Sequence, residues 1–168
     1  MNAAALHPQV THVAALAGFL SARTLEEQYL PRIVRGYSDE VMSWERQANP
    51  RYADMDARDS LKKSRAALLF IQSRDDVMVH YDRAMEPLEQ ALAGRPHTEF
   101  LTVEDRNHEP HHTVEAAQVY AAMRDAQRRQ KNHLKTPEQL KAFRASQDWA
   151  AMTAQDPEIW DHILRFLK

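Results

Sequence analysis

Two apolar stretches of this chain are followed by residues that can carry out acid–base chemistry. Residues 66–73 (AALLFIQS) lead to the acid pair Asp75 and Asp76, and residues 98–104 (TEFLTVE) lead to His108. A carboxylate that orients an imidazole and an imidazole that takes a proton from a nucleophile are two of the three members of a nucleophilic triad. The third member would be an activated serine or cysteine upstream of them, and this chain itself contains no cysteine.

A second group of chemically capable residues begins at the same histidine. Residues 108–112 (HEPHH) contain the letters of H-E-x-x-H, the zinc-protease motif. That motif requires both histidines on one face of a continuous helix, whereas Pro110 disfavours helical geometry at Glu109. We therefore expect no catalytic zinc and assign no metal ligand. A weaker alternative is a His-rich metal-binding domain in which His108, His111 and His112 bind a metal opportunistically.

The elements that must position these residues are three short strands, predicted from apolar or alternating patterns bounded by breakers. They cover residues 10–18, 66–73 and 98–104. Helical patterns separate them, which predicts an α/β fold with a three-stranded parallel sheet and flanking helices. In such sheets chemistry gathers at the carboxyl ends of the strands, where the acid pair and His108 both lie.

Helix signals fill the rest of the chain. Thr24 is predicted to cap a first helix that Pro31 kinks or splits, and further helices are expected over residues 39–48 and 81–93. From Thr113 onwards the chain reads as wholly helical. The last helix has an apolar face formed by four predicted core residues: Ile159, Ile163, Leu164 and Leu167.

Composition limits the classes of function. The chain has 168 residues, 43% of them hydrophobic, with a net charge of -2, which fits one ordinary globular domain. A pI near 6.5 gives no electrostatic reason to expect nucleic acid or a membrane as partner. Three well-separated glycines cannot form a Gly-rich phosphate loop. No signal peptide is visible and no apolar stretch reaches the roughly 20 residues of a membrane span, so we expect a cytoplasmic protein.

The order strand–acid–helix–strand–histidine resembles the C-terminal portion of the α/β-hydrolase fold, its sixth to eighth strands with a cap insertion. In that family an Asp follows the seventh strand, often as G-x-x-D-x-x-V-P, and residues 73–80 (SRDDVMVH) fit this frame with Ser and His replacing Gly and Pro. The frame selects Asp76 as the acid. Residues 106–110 (RNHEP) fit the turn that carries the family's histidine, here His108.

The resemblance implies a single, incomplete domain over residues 1–168. Residues 22–62 would be the helical cap, residues 113–168 the C-terminal helices, and Asp76 and His108 the catalytic acid and base. Four side chains of the cap region either line an acyl or aromatic substrate pocket or serve core or cap packing, which is the more common role of such residues: Tyr29, Tyr37, Met42 and Trp44. The implied substrate is a small-molecule ester, thioester or related carbonyl compound, and no cofactor is expected.

One departure from the family pattern decides what the chain can do alone. The family's nucleophile sits on a G-x-S-x-G elbow before the sixth strand, and the chain contains no such motif. We expect the isolated chain to be inactive and the nucleophile half to be missing or supplied by another chain. The alternative is a non-catalytic binding protein that uses the exposed edge of the strand at 10–18. Either way, that edge favours self-association.

Overall fold

The computed structural model describes residues 1–30 and 36–168. Three strands, β1 (His12–Leu16), β2 (Ala67–Ser73) and β3 (Thr98–Val103), form a parallel sheet in the order β1-β2-β3. Ala14 pairs with Leu69, and Phe70 pairs with Phe100. The predicted fold class is confirmed: this is an α/β fold, a three-stranded parallel sheet with flanking helices and a helical C-terminal region.

Helices precede, connect and follow the three strands. One helix precedes β1: α1 (Ala3–Leu6). Between β1 and β2 the described residues form three helices: α2 (Ala22–Tyr29), α3 (Ser38–Ala48) and α4 (Ala57–Lys63). One helix connects β2 and β3: α5 (Tyr81–Ala91). Four helices follow β3: α6 (Val114–Arg129), α7 (Pro137–Ala145), α8 (Trp149–Met152) and α9 (Pro157–Phe166). The kink predicted at Pro31 lies outside the described residues.

The central strand β2 is buried on both faces, as its continuous apolar run predicts. Leu68 and Phe70 face a cluster formed with α4 and α5, including Leu61 and Met85. The alternate residues Leu69 and Ile71 belong to a second cluster with Val103, Ile159 and Ile163. Because side chains alternate along a strand, the sheet lies between two helical layers, with α9 covering the second face.

Several element boundaries differ from the predicted ones for local reasons. The cap of α2 is Ser21, whose hydroxyl accepts the amide hydrogen of Thr24, so Thr24 is the third helical residue and not the cap. Strand β1 ends before Ala17, whose φ of 47° breaks the extended conformation. On α9, Ile159 and Ile163 are buried as predicted, but the predicted core residues Leu164 and Leu167 are about half exposed.

The outer side of β1 carries no strand partner among the described residues, because β1 pairs only with β2. Strand β3 likewise pairs only with β2 within residues 1–30 and 36–168. The described sheet therefore has two edges whose backbone groups have no strand partner. No helix in the described ranges combines the length and apolar character of a membrane span.

Candidate acid–base site

Asp76 lies three residues after the end of β2, and its side chain is fully buried. One carboxylate oxygen, Oδ1, accepts hydrogen bonds from the amides of Met78 at 2.8 Å and Val79 at 2.9 Å. A short acidic side chain that bonds to amides two and three residues ahead closes the backbone into a turn. Burial of this carboxylate is therefore compensated within its own loop.

His108 meets this carboxylate from the loop that follows β3. Its Nδ1 lies 3.0 Å from Oδ2 of Asp76 and 3.2 Å from Oδ1. Because an ionised carboxylate only accepts, Nδ1 is the donor, and the neutral imidazole keeps Nε2 as its free, basic nitrogen. The His108 side chain is 33% exposed, so the pair joins a buried acid to a histidine that solvent reaches. The structure thus brings together the two side chains that the sequence placed at neighbouring strand ends.

Asp75 also connects the loop after β2 to the loop after β3, although the sequence suggests only a loop charge. It accepts hydrogen bonds from the Ser73 hydroxyl and from the amides of Arg106, at 3.3 Å, and Asn107, at 3.1 Å. Burial alone would raise the pKa of Asp75, but these hydrogen bonds outweigh it and hold the pKa below its ordinary value. The loop that carries His108 is consequently fixed to the loop that carries Asp76.

The backbone of the histidine loop takes an uncommon conformation that its residue types permit. Asp105 and Asn107 have φ values of 58° and 53°, in the left-handed region that Asp and Asn tolerate better than other non-glycine residues. The Asx residues at 105 and 107 are the sequence signal that could have indicated this tight loop.

A partly buried ion pair anchors the same loop to α9. The guanidinium of Arg106 bonds to the carboxylate of Asp156, the cap residue of α9, and to the carbonyl of His112 at 2.7 Å. Burial would raise the pKa of Asp156, but the hydrogen bonds from Arg106 and from the amides of Ile159 and Glu158 lower it overall. The negative charge at this helix start is therefore well stabilised.

The cap region touches the acid loop through α2. Tyr29 donates from its hydroxyl to the carbonyl of Met78 at 2.7 Å, Gln28 donates to the same carbonyl, and Gln28 accepts from the amide of His80 at 3.2 Å. Tyr29 thus connects the segment 22–62 to the loop of Asp76 through this hydrogen bond. Whether it also contacts a substrate stays a prediction.

The other predicted substrate-binding residues differ widely in solvent exposure. Tyr37 and Trp44 are about 60% exposed, whereas Met42 is buried in the protein interior. Two cavities of the described structure, of about 480 and 370 Å³, are lined by neither these residues nor His108. The second cavity lies beside the acid loop and is lined by Asp75, Asp76 and His80 among others. The substrate pocket predicted from Tyr29, Tyr37, Met42 and Trp44 therefore does not correspond to either of these two cavities.

Neither serine near the predicted site acts as a partner of His108. Ser73 is fully buried and bonded to Asp75, and its hydroxyl also accepts the amide of Arg106 at 3.2 Å. Ser21 serves as the cap of α2. Over residues 1–30 and 36–168, the hydrogen-bond partner of His108 is Asp76 and no hydroxyl group. Among the described residues, the Asp76–His108 pair therefore has no serine hydroxyl as a hydrogen-bond partner.

The HEPHH segment is not helical, as Pro110 predicts; α6 begins only at Val114. Ligand atoms of Glu109, His111 and His112 lie within 4.8 Å of one another. His108, which the sequence grouped with the two later histidines, is instead bonded to Asp76. Burial, together with the neighbouring imidazole of His112, lowers the pKa of His111.

Comparisons of this chain with protein-family models, with curated proteins and with solved structures gave no match. A proposal for its function therefore depends on the geometry of the site.

Proposed function

We propose that Asp76 and His108 are the acid and base of a serine-type α/β hydrolase that acts on an ester, thioester or related carbonyl substrate. The nucleophile of this enzyme would come from outside the 168 residues. The observation that carries the proposal is the 3.0 Å contact between Nδ1 of His108 and the buried carboxylate of Asp76. The strand order β1-β2-β3 also supports it, since the sixth to eighth strands of that fold are neighbours in the same parallel order.

Each residue has a defined part in this reaction. Nε2 of His108 would accept the serine proton during attack on the carbonyl carbon and return it to the leaving group. Asp76 would hold the imidazole in the tautomer with a proton on Nδ1 and stabilise the imidazolium that forms. The two amide bonds from Met78 and Val79 keep this carboxylate in place. These roles need no rearrangement of the acid loop.

The isolated chain should have no such activity. It lacks a G-x-S-x-G elbow, and Ser73 is committed to hydrogen bonds with Asp75 and the Arg106 amide. Without a nucleophile and its oxyanion-hole amides, the covalent route is lost. A serine supplied next to Nε2 of His108, by a longer form or by a second chain, would complete the triad.

Labelling with a fluorophosphonate probe, which reacts with activated serines, tests the proposal. The 168-residue chain should not react, whereas a form extended by the upstream coding sequence should label at one serine. In the extended form, His108→Ala should abolish labelling and Asp76→Asn should slow it by at least a hundredfold. The exposed His133→Ala variant is the matched control and should label normally. An extended form that does not label, or that labels equally after His108→Ala, would refute the hydrolase proposal.

The unpaired edge of β1 favours a second candidate, a non-catalytic interaction protein. Such an edge presents free amides and carbonyls to a strand of another chain. A stop codon directly upstream of Met1, together with a stable folded chain that binds a partner through residues 12–16, would favour this candidate. Proline at Ala14 should then abolish partner binding, because Thr11 and Ala17 bond to β2 and the alternation along the strand directs the Ala14 amide outward.

A further inference from the structure

We propose that Glu109, His111 and His112 form a binding site for a divalent transition metal of the zinc class. This site is separate from the Asp76–His108 pair and does not depend on the proposed hydrolase function. Two imidazoles and one carboxylate are the donor set of many zinc sites with three protein ligands, which leave a fourth position for water. The nitrogen donors disfavour Mg²⁺ and Ca²⁺, which bind oxygen ligands.

The three ligands are brought together by a β-turn and not by a helix. The amide of His112 donates to the carbonyl of Glu109 at 2.9 Å, with Pro110 in the second position of the turn, where its fixed φ is favourable. The Pro110 side chain is fully buried, which anchors the turn in the protein. Glu109 and His112 therefore occupy the first and last turn positions, whose Cα atoms lie within about 7 Å.

The backbone of the turn is also fixed from outside. The His111 carbonyl accepts the amide of Asp156 at 2.9 Å, and the His112 carbonyl accepts the guanidinium of Arg106 at 2.7 Å. The charge of Arg106 is compensated by Asp156, so it does not stand as an unpaired cation beside the site. A site on a rigid backbone loses little conformational freedom when a metal binds.

The distances are close to those of a metal site. Nδ1 of His111 lies 3.8 Å from Oε2 of Glu109, and the widest separation in the trio is below 4.8 Å. A tetrahedral zinc ion with bonds of about 2.0–2.1 Å requires ligand separations of about 3.3 Å. The Glu109 side chain is 50% exposed, so a rotamer change can shorten its distance of 3.8 Å to His111.

An unsatisfied atom points to a ligand at this place. Nδ1 of His111 is buried and has no hydrogen-bond partner among the described residues. A buried nitrogen without a partner is unfavourable, and a metal ion would satisfy its lone pair. The His111 ring also packs edge-on against Trp160, with ring centroids 5.9 Å apart, which places a fluorophore beside the site.

Titration of the 168-residue chain with zinc chloride, followed by calorimetry, tests the site directly. We expect one equivalent to bind, and His111→Ala or His112→Ala to weaken the affinity at least tenfold. Glu109→Gln should also weaken it, whereas His133→Ala, which removes an exposed histidine elsewhere, should leave it unchanged. His108→Ala should likewise bind zinc normally, because His108 is the partner of Asp76.

Nickel quenching of tryptophan fluorescence gives a second measurement that does not require a variant at a ligand. The quenching should saturate with the same affinity as calorimetric nickel binding and should be lost in Trp160→Phe, leaving the signals of Trp44 and Trp149. Absence of saturable binding, or equal affinity after His111→Ala, His112→Ala and His133→Ala in folded proteins, would overturn the proposal. Quenching that persists in Trp160→Phe would place the metal elsewhere and overturn it as well.

Discussion

The buried carboxylate of Asp76 should be more important to stability than any exposed acid of the chain. In Asp76→Ala, the amides of Met78 and Val79 lose their acceptor while His108 loses its partner. A buried donor left unsatisfied costs about 1–3 kcal/mol, which applies in full to the Val79 amide, whereas the part-buried Met78 amide costs less. Together they predict a loss of about 2–4 kcal/mol in the free energy of unfolding. That is a large part of the roughly 5–15 kcal/mol typical of a domain.

Asp76→Asn separates the two duties of this side chain. Both amides bond to Oδ1, so an asparagine oxygen can keep them, and the loss should be only about 1 kcal/mol from replacing charged by neutral hydrogen bonds. The asparagine nitrogen then faces Nδ1 of His108. Because two donors cannot bond to each other, the imidazole should change to the tautomer with its proton on Nε2.

Urea denaturation and nitrogen-15 NMR of the imidazole measure these two effects. Asp161→Asn, a substitution at an exposed acid of α9, is the control and should stay within about 0.5 kcal/mol of the parent chain. The reasoning is refuted if Asp76→Ala is as stable as this control. An unchanged His108 tautomer in Asp76→Asn would equally contradict it, and that variant should remain folded even if Asp76→Ala does not.

Three further predictions concern the fold. Asp156 has a lowered pKa in the folded chain, so its contribution to stability is complete above the unfolded pKa near 4 and declines as the pH falls through the folded value. The difference in unfolding free energy between the parent chain and Asp156→Asn should therefore shrink below about pH 4. A difference that stays constant from pH 7 to pH 2 would contradict this. Leu69→Ala, at a fully buried position of β2, should lose about 2–5 kcal/mol in urea denaturation, whereas Leu164→Ala, at a half-exposed position, should lose less than about 1 kcal/mol; similar losses would disprove the assigned burial. The free edge of β1 predicts that the chain forms oligomers whose size increases with protein concentration, as measured by light scattering. A monodisperse monomer at high concentration would contradict this prediction.

The sequence is most informative where one strong physical signal dominates. The apolar run of β2 predicts a strand buried on both faces, and Asp76 and His108 can be placed at one sheet edge because parallel strands end on the same side. A capping residue followed by proline and glutamate, at Thr136 and again at Asp156, is likewise a local start signal, and α7 and α9 begin there. These features depend on local chemistry and on one rule of sheet topology.

The remaining features depend on contacts between distant segments, which a single sequence does not reveal. From the sequence, Asp75 is interpreted only as a loop charge. Its role is missed because its hydrogen bonds to the amides of Arg106 and Asn107 join residues about thirty positions apart. Leu164 and Leu167 fit the helical period but lie beyond the face of α9 that meets the sheet. The sequence names the proposed metal ligands only in part: His111 and His112 are candidates, but they are grouped with His108 instead of Glu109. Glu109 lies near the two histidines because residues 109–112 form a turn that a single sequence does not fix.

The neighbouring acids Asp75 and Asp76 each fasten the loop after β2 to the loop after β3, one through backbone amides and the other through His108. Surface loops ordinarily accept insertions and deletions freely. Here an added or deleted residue in either loop would move one acid away from its counterpart, so the two loops can change length only in concert. Evolutionary variation in these two loops should therefore be limited to coordinated changes that keep both acids in contact with their partners in the loop after β3.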